Sequence, residues 1–247
     1  MTAEDPIQNA LELSPGARFY RCALQVNPHH YAERYRGQVS EGDEEGYATA
    51  LVDRAVALGI DVLAVTDHNH VGGVRAIREA AKKRAVYIFP GFELTSTEGI
   101  HVLCLYPLDT TEEQLGRYLG EFGIRDTSPS SALCGMTFAE ILPRVRKQGG
   151  ITIAAHATND NGVLKKLDGQ ARIRNWKSED LLAIQIPGPV ADLPPDLRPI
   201  VENKNPDYRR KHPPESDLAV AVVNAKDIAE PDDLEDPAAT CWIKMSR

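Results

Sequence analysis

Four side chains able to bind a transition metal fall at the ends of successive apolar runs. VLAVT (62–66) leads into Asp67-His68-Asn69-His70, VYIFP (86–90) into Gly91-Phe92-Glu93 and ITIAA (151–155) into His156, while His101 opens HVLCLY (101–106). Neutral imidazoles with a carboxylate are the donors that Zn, Mn or Fe(II) takes, and a glutamate can bridge two ions. One such histidine is ordinarily a hydrogen-bonded core or loop residue. A set at consecutive strand ends predicts a present or former metal site built from His68, Glu93, His101 and His156. Asp67 reads two ways: a carboxylate that fixes a histidine tautomer, or the N-cap of a helix starting near residue 72. His70 reads as a loop residue. His29-His30, after Pro28, reads as a polar surface turn or as a source of a replacement ligand.

These residues need a frame that gathers strand ends. YRCALQV (20–26), LLAIQI (181–186) and LAVAVV (218–223) join the four runs above as predicted strands. All are continuously apolar rather than alternating, as in strands covered on both faces. Between them, helical spacing of apolar residues marks 44–59 and 73–84. Thr110 with Glu113, and Thr137 with Glu140, have the spacing of capping boxes and predict two more helices. Strand-then-helix alternation means a mainly parallel sheet, open or closed into a barrel, with working groups at the carboxyl ends of its strands. The 107–137 and 187–217 stretches, richer in turn residues, read as insertions on one rim. Residues 1–17 read as an arm ahead of a single domain over 18–247.

Composition narrows the function. The chain has 247 residues, 42% hydrophobic and 26% charged, which suits a globular domain with a sizeable core. Its net charge of −8, from 36 acidic and 28 basic residues, argues against a nucleic-acid coat protein. Basic residues nevertheless cluster at 164–177, with Lys165, Arg172 and Arg174, and at 208–212; such clusters are solvated surface or a rim that attracts phosphate. No apolar run is long enough to span a membrane, and the acidic N-terminus does not resemble a signal peptide. The four cysteines, Cys22, Cys104, Cys134 and Cys241, form no CxxC pair and read as reduced thiols in a cytoplasmic protein. No GxGxxG or P-loop follows the first strand, which disfavours a Rossmann-type nucleotide binder.

GIDVLAVTDHNHVGG, FPGFELTSTEGIHVLCLY and GGITIAAHATND resemble the second, third and fourth motifs of the PHP (polymerase and histidinol phosphatase) superfamily. The resemblance implies a distorted (β/α)7 barrel of mainly parallel strands and a metal-dependent phosphoesterase, either phosphatase or nuclease. It implies a trinuclear site of divalent ions (Zn, Mn or Fe), of which the departures described next leave one or two ions or none, and a substrate such as DNA or a nucleotide. CALQVNP and CWIKMSR look closest to PHP modules of the TrlF-like branch, fused ahead of SbcC/SMC-like or AAA-like ATPases. That implies an N-terminal module of a longer, ATPase-containing chain.

Two motifs depart from the family. Its first-motif histidines fall at Gln25 and Asn27, and its final Asp-x-His falls at Asn224-Ala225-Lys226. An amide oxygen can ligate a hard ion but brings no charge, and an ammonium beside a dication is repelled. Lys226 and a metal at that position are therefore expected to exclude each other. Asp67, His68 and Lys226 stand as catalytic candidates, and Lys165, Arg172 and Arg174 as phosphate binders. The alternative is an inactive PHP scaffold that binds nucleic acid or a partner for the ATPase.

Overall fold

The computed structural model describes residues 17–39, 42–125, 127–211 and 217–245, so the expected arm over 1–17 lies, apart from Ala17, outside the described residues. The seven predicted runs form strands β1 (Arg18–Val26), β2 (Val62–Val65), β3 (Tyr87–Thr95), β4 (His101–Leu105), β5 (Ile151–Ala154), β6 (Ala183–Gln185) and β7 (Ala221–Val223). An eighth, β8 (Cys241–Met245), was not predicted; it lies antiparallel on β1. The sheet order is β7-β6-β5-β4-β3-β2-β1-β8. Beyond β7 the chain returns to the first strand, where Val26 and Ile228 form a bridge that nearly closes the sheet into a barrel. This is the expected PHP-type barrel.

Two apolar layers follow from strand geometry, since alternate residues face opposite sides. Tyr20, Cys22, Leu24, Val62, Ala64, Leu103, Leu105 and Ile153 fill the barrel interior. The opposite faces pack beneath helices α1 (Glu44–Ala57), α2 (Val74–Ala81), α3 (Glu112–Glu121) and α4 (Phe138–Lys147). Shorter helices α5 (Val163–Lys166), α6 (Gly169–Trp176) and α7 (Arg198–Val201) follow. Thr137 and Glu140 cap α4 as expected. On α3 the box is Thr111 with Gln114, one residue later than expected. Thr110 is taken up in the preceding turn, its N–H on Pro107 O and its carbonyl on Arg78. Asp67 caps no helix, because α2 starts after Gly73 without a side-chain cap.

Two features of the sheet position the site. Strand β4 runs antiparallel to both β3 and β5, pairing Thr95 with His101 and Val102 with Ala154. Its first residue, His101, therefore stands on the rim where β3 and β5 end. Strand β1 pairs with β2 in a register that slips between Ala23 and Val26. Leu24 lies in the interior cluster and Val26 in the outer one, so the slip turns Gln25 inward as a β-bulge does.

Close strand approach makes one glycine obligatory. A Cβ on Gly91 would lie 2.3 Å from the Cys104 carbonyl oxygen across the β3–β4 pair, whereas one on Gly120 in α3 would meet nothing within 4 Å. Gly91→Ala is expected to lower the unfolding free energy by roughly 2–3 kcal/mol through overpacking. Gly120→Ala is expected to raise it by about 0.5–1 kcal/mol through helix propensity. Urea unfolding of both variants checks the pair.

Candidate metal centre

Glu93 is the hub. It sits in β3 just before the β3–β4 turn, fully buried, and its backbone extends the β2–β3 pairing through Asp67 O and Asn69 N. Its Oε2 lies 3.3 Å from His68 Nε2 and accepts from Gln25 Nε2 at 2.8 Å. Its Oε1 lies 2.8 Å from His101 Nδ1 and 4.0 Å from His156 Nε2. The four residues expected to hold a metal thus converge, and Gln25 joins them. One donor atom each from His68, Glu93 and His101 falls within 4.8 Å of the others, a spacing one ion can span.

The hydrogen-bond inventory supports a cation here. Among the described residues eleven buried side-chain polar atoms lack a hydrogen-bond partner, and six belong to this rim: Gln25 Oε1, Asn27 Oδ1, Asp67 Oδ1, His68 Nδ1, Glu93 Oε1 and His101 Nδ1. Buried polar groups are almost always paired, so such a concentration calls for an explanation. His101 Nδ1 and Glu93 Oε1 are close but not aligned on each other as donor and acceptor. Of the six, Glu93 Oε1 and His101 Nδ1 stand 2.8 Å apart at the centre itself and can both present lone pairs to a divalent ion; the imidazole content favours Zn, Mn or Fe(II) over Mg or Ca.

Electrostatics agree. Burial alone would raise the Glu93 pKa, but the charges of His68, His101 and His156 outweigh it and hold the carboxyl down at about 2. Burial pushes the His156 pKa below its ordinary 6.5, with the neighbouring imidazoles adding to the effect against Glu93. His156 is therefore unprotonated at neutral pH, as a ligand must be.

The mouth of the site is an open cleft of about 590 Å³ lined by Gln25, Tyr31, Tyr35, His68, His101, His156, the 158–161 loop and Asp227. After β1 a π-helical turn, Ala32–Arg36, lays Tyr35 flat on His68, with ring centroids 4.0 Å apart. Asp227 is not singled out by the sequence, because the final motif is placed on the residues just before it. Its Oδ1 receives Asn27 Nδ2, and its Oδ2 receives Tyr31 OH at 2.8 Å and Arg36 Nη2 at 3.2 Å. Sliding the final motif by one residue would have found it.

Other expected residues stand elsewhere. Lys226 Nζ reaches Asp236 at 3.0 Å and Asp233 at 3.6 Å, aspartates on the turns that follow β7, so its ammonium is neutralised away from Glu93. It shares a smaller cavity with His156 and Asp227. Asn224 does not line the cleft. Neither do Lys165, Arg172 and Arg174. Lys165 and Arg174 are exposed, and Arg172 is spent on Tyr208 OH at 2.7 Å and Leu164 O at 3.0 Å. The cysteines carry free thiols, and burial pushes Cys22 up to about 12.

No family model matches the chain. Among curated proteins, an error-prone DNA polymerase of Caulobacter vibrioides is 27% identical over 132 residues, 53% of this chain and 12% of the polymerase. An uncharacterized protein of Methanocaldococcus jannaschii is 30% identical over 98 residues, 40% of this chain and 44% of that protein. Among solved structures, the lesion-specific endonuclease PfuEndoQ of Pyrococcus furiosus superposes with a TM-score of 0.57 at 12% identity, over 87% of this chain and 50% of the endonuclease. Endonuclease Q bound to a 27-mer duplex with an abasic lesion gives 0.55 at 13%, over the same shares. A two-domain Bacteroides vulgatus protein with a predicted PHP-like metal-dependent phosphoesterase gives 0.51 at 14%, over 90% of this chain and 55% of that one. The fold is that of the PHP-like barrels. The chain spans about half the length of these three solved structures, and less of the curated relatives. No helix among the described residues is long and apolar enough to cross a membrane.

The pKa shifts give the metal-free protein a signed pH dependence. His156 favours its neutral form in the fold, so stability is lost as pH falls below 6.5. Glu93 favours its charged form, so its contribution is present above 4.5 and lost between 4.5 and about 2. Urea midpoints measured from pH 8 to pH 3 are expected to stay level down to about pH 6.5 and to fall from there. His156→Gln should flatten the upper part of that curve and Glu93→Gln the lower part.

Proposed function

We propose that this chain is a metal-dependent phosphoesterase of the PHP superfamily, with a reduced metal site, acting on a phosphodiester such as that of DNA. One observation carries the reading: partnerless, acceptor-rich polar atoms gather around a fully buried glutamate between three histidines. The DNA enzymes among its relatives and structural neighbours support the choice of substrate.

In this reading Glu93, His101 and His68 hold the ion, with His156 across the gap. When bound, the ion polarises a phosphoryl oxygen and acidifies a water. Asp67 and His68 manage protons. Arg36 and Tyr35, at the mouth, position the phosphate and an adjoining ring. Lys165 and Arg174, exposed beyond the rim, add long-range attraction for a polyanion. Lys226 drops out of the catalytic set. Attachment to an ATPase domain is part of the proposal and rests on the resemblance of CALQVNP and CWIKMSR alone.

One observation favours a second reading, the inactive scaffold. The amide groups of Gln25 and Asn27 donate to Glu93 and Asp227, so N–H dipoles already meet both carboxylates. Metal analysis of protein purified without chelator, with hydrolysis of bis-p-nitrophenyl phosphate and of duplex DNA bearing an abasic site, separates the two. The phosphoesterase reading expects bound Zn, Mn or Fe, and activity that falls at least 100-fold in Glu93→Gln and His101→Ala. Protein that stays inert after reconstitution with each metal leaves the scaffold.

A further inference from the structure

A second cluster lies one residue along from His68. His30 Nε2 and His70 Nδ1 are 2.9 Å apart, and they stand 3.4 Å and 3.2 Å from the same oxygen, Asp67 Oδ2. His30 comes from the turn after β1, Asp67 and His70 from the loop after β2. None of the three stands at a ligand position of the PHP motifs carried over above.

We propose that His30, Asp67 and His70 form a second divalent-cation site, of the zinc class, beside the Glu93 centre. This rests on geometry, independently of the hydrolytic reading. Donors bound tetrahedrally at 2.0–2.1 Å stand about 3.3 Å from one another. The three separations here bracket that value. His70 Nδ1 accepts the Gly72 N–H at 3.2 Å, so it carries a lone pair rather than a proton. Asp67 Oδ2 likewise only accepts, and one donor atom from each of the three residues falls within 4.8 Å of the others. A cation drawing on these atoms would replace the present contacts to Gly72 and Arg34.

The backbone makes room for the rings. A Cβ on Gly72 would lie 2.5 Å from His70 Cε1, and one on Gly73 3.3 Å from His30 Cε1. Asp67 is buried, while the His30 and His70 side chains are 24% and 28% exposed. The carboxylate is thus fixed from behind and a fourth coordination position opens to solvent, where water or a phosphate oxygen can enter.

One group opposes the ion. Arg34 Nη1 sits 3.0 Å from Asp67 Oδ2, and its charge repels a cation on that oxygen. Asp67 Oδ1 has no partner among the described residues and gives the guanidinium a second acceptor. Removing the charge is therefore expected to tighten binding.

The test uses stripped, refolding-competent full chain reloaded with zinc or cobalt(II), with bound metal counted by mass spectrometry and calorimetry. Wild type should take two ions per chain. His30→Ala combined with His70→Ala should lose one and keep the other, Glu93→Gln should do the reverse, and Arg34→Gln should bind the His30–His70 ion roughly tenfold tighter. An unchanged count in the double variant, together with unchanged affinity in Arg34→Gln, would overturn the proposal and leave a hydrogen-bonded cluster only. Failure of the phosphoesterase reading shows differently: Glu93→Gln would then alter neither metal count nor hydrolysis, whatever the double variant does.

Discussion

A carboxylate with no exposed surface governs this architecture. An ionised group cannot be taken out of water without compensation, and unpaired it would cost several kcal/mol. Glu93 is that group, and the local fold delivers its partners. The reversal of β4 brings His101 to it, and the slip in β1 brings Gln25. The continuation of β2 beside β3 brings His68. The partners are imidazoles rather than lysines or arginines, and an imidazole, unlike an ammonium or a guanidinium, can present a lone pair to a cation. That chemistry is what makes the cluster a candidate metal centre rather than a simple structural ion pair.

The two amides change how many ions the rim can carry. Histidines at residues 25 and 27 would supply lone pairs to a cation shared with Glu93 and Asp227. Gln25 and Asn27 instead supply N–H groups, fixed in orientation by carboxylates that only accept. Tyr31 and Arg36 complete the compensation of Asp227. The Asp227 carboxylate is satisfied by protein donors, although the amide oxygens Gln25 Oε1 and Asn27 Oδ1 have no partner among the described residues. Glu93 Oε1 and His101 Nδ1 are likewise unmatched. The pairing of Asp227 without an ion is what supports the reduced site proposed above.

Much of this was legible in the chain. Continuous apolar runs marked the strands because both faces are covered, and the rim ligands stood out because they interrupt those runs. The unread parts are those set by pairing rather than by composition. Strand β8 alternates in exposure on a sheet edge and lacks the continuous signature. The weight of His101 at the start of a strand depends on the direction of β4, which no local pattern encodes. Gln25 owes its inward aim to a one-residue slip. Lys226 looked central because only its position in a motif was visible; the aspartates that hold it, Asp233 and Asp236, arrive from later turns. His30 read as a surface turn and His70 as a loop residue because His30 lies 37 residues before their meeting point, Asp67, and nothing local joins them.

Backbone strain points to the same rim. Among the described residues three non-glycines have positive φ, and two of them, Asn69 at 50° and His156 at 46°, lie in the loops that follow β2 and β5. Each costs on the order of 1–2 kcal/mol and persists only where its surroundings fix it. Asn69 is clamped by its side chain on the Ser130 and Ala132 carbonyls. The N–H of His156 is held by Gln185 Oε1, and its carbonyl is packed so closely that a Cβ on Gly162 would come within 2.1 Å of it. An extended residue at 156 would carry the imidazole onward along the strand direction; the left-handed turn swings it back over Glu93. A hydrogen-bonded core histidine would need no such expenditure, because any rotamer that found a partner would do. The strain is intelligible where a lone pair must be aimed at a fixed point that the protein itself leaves open.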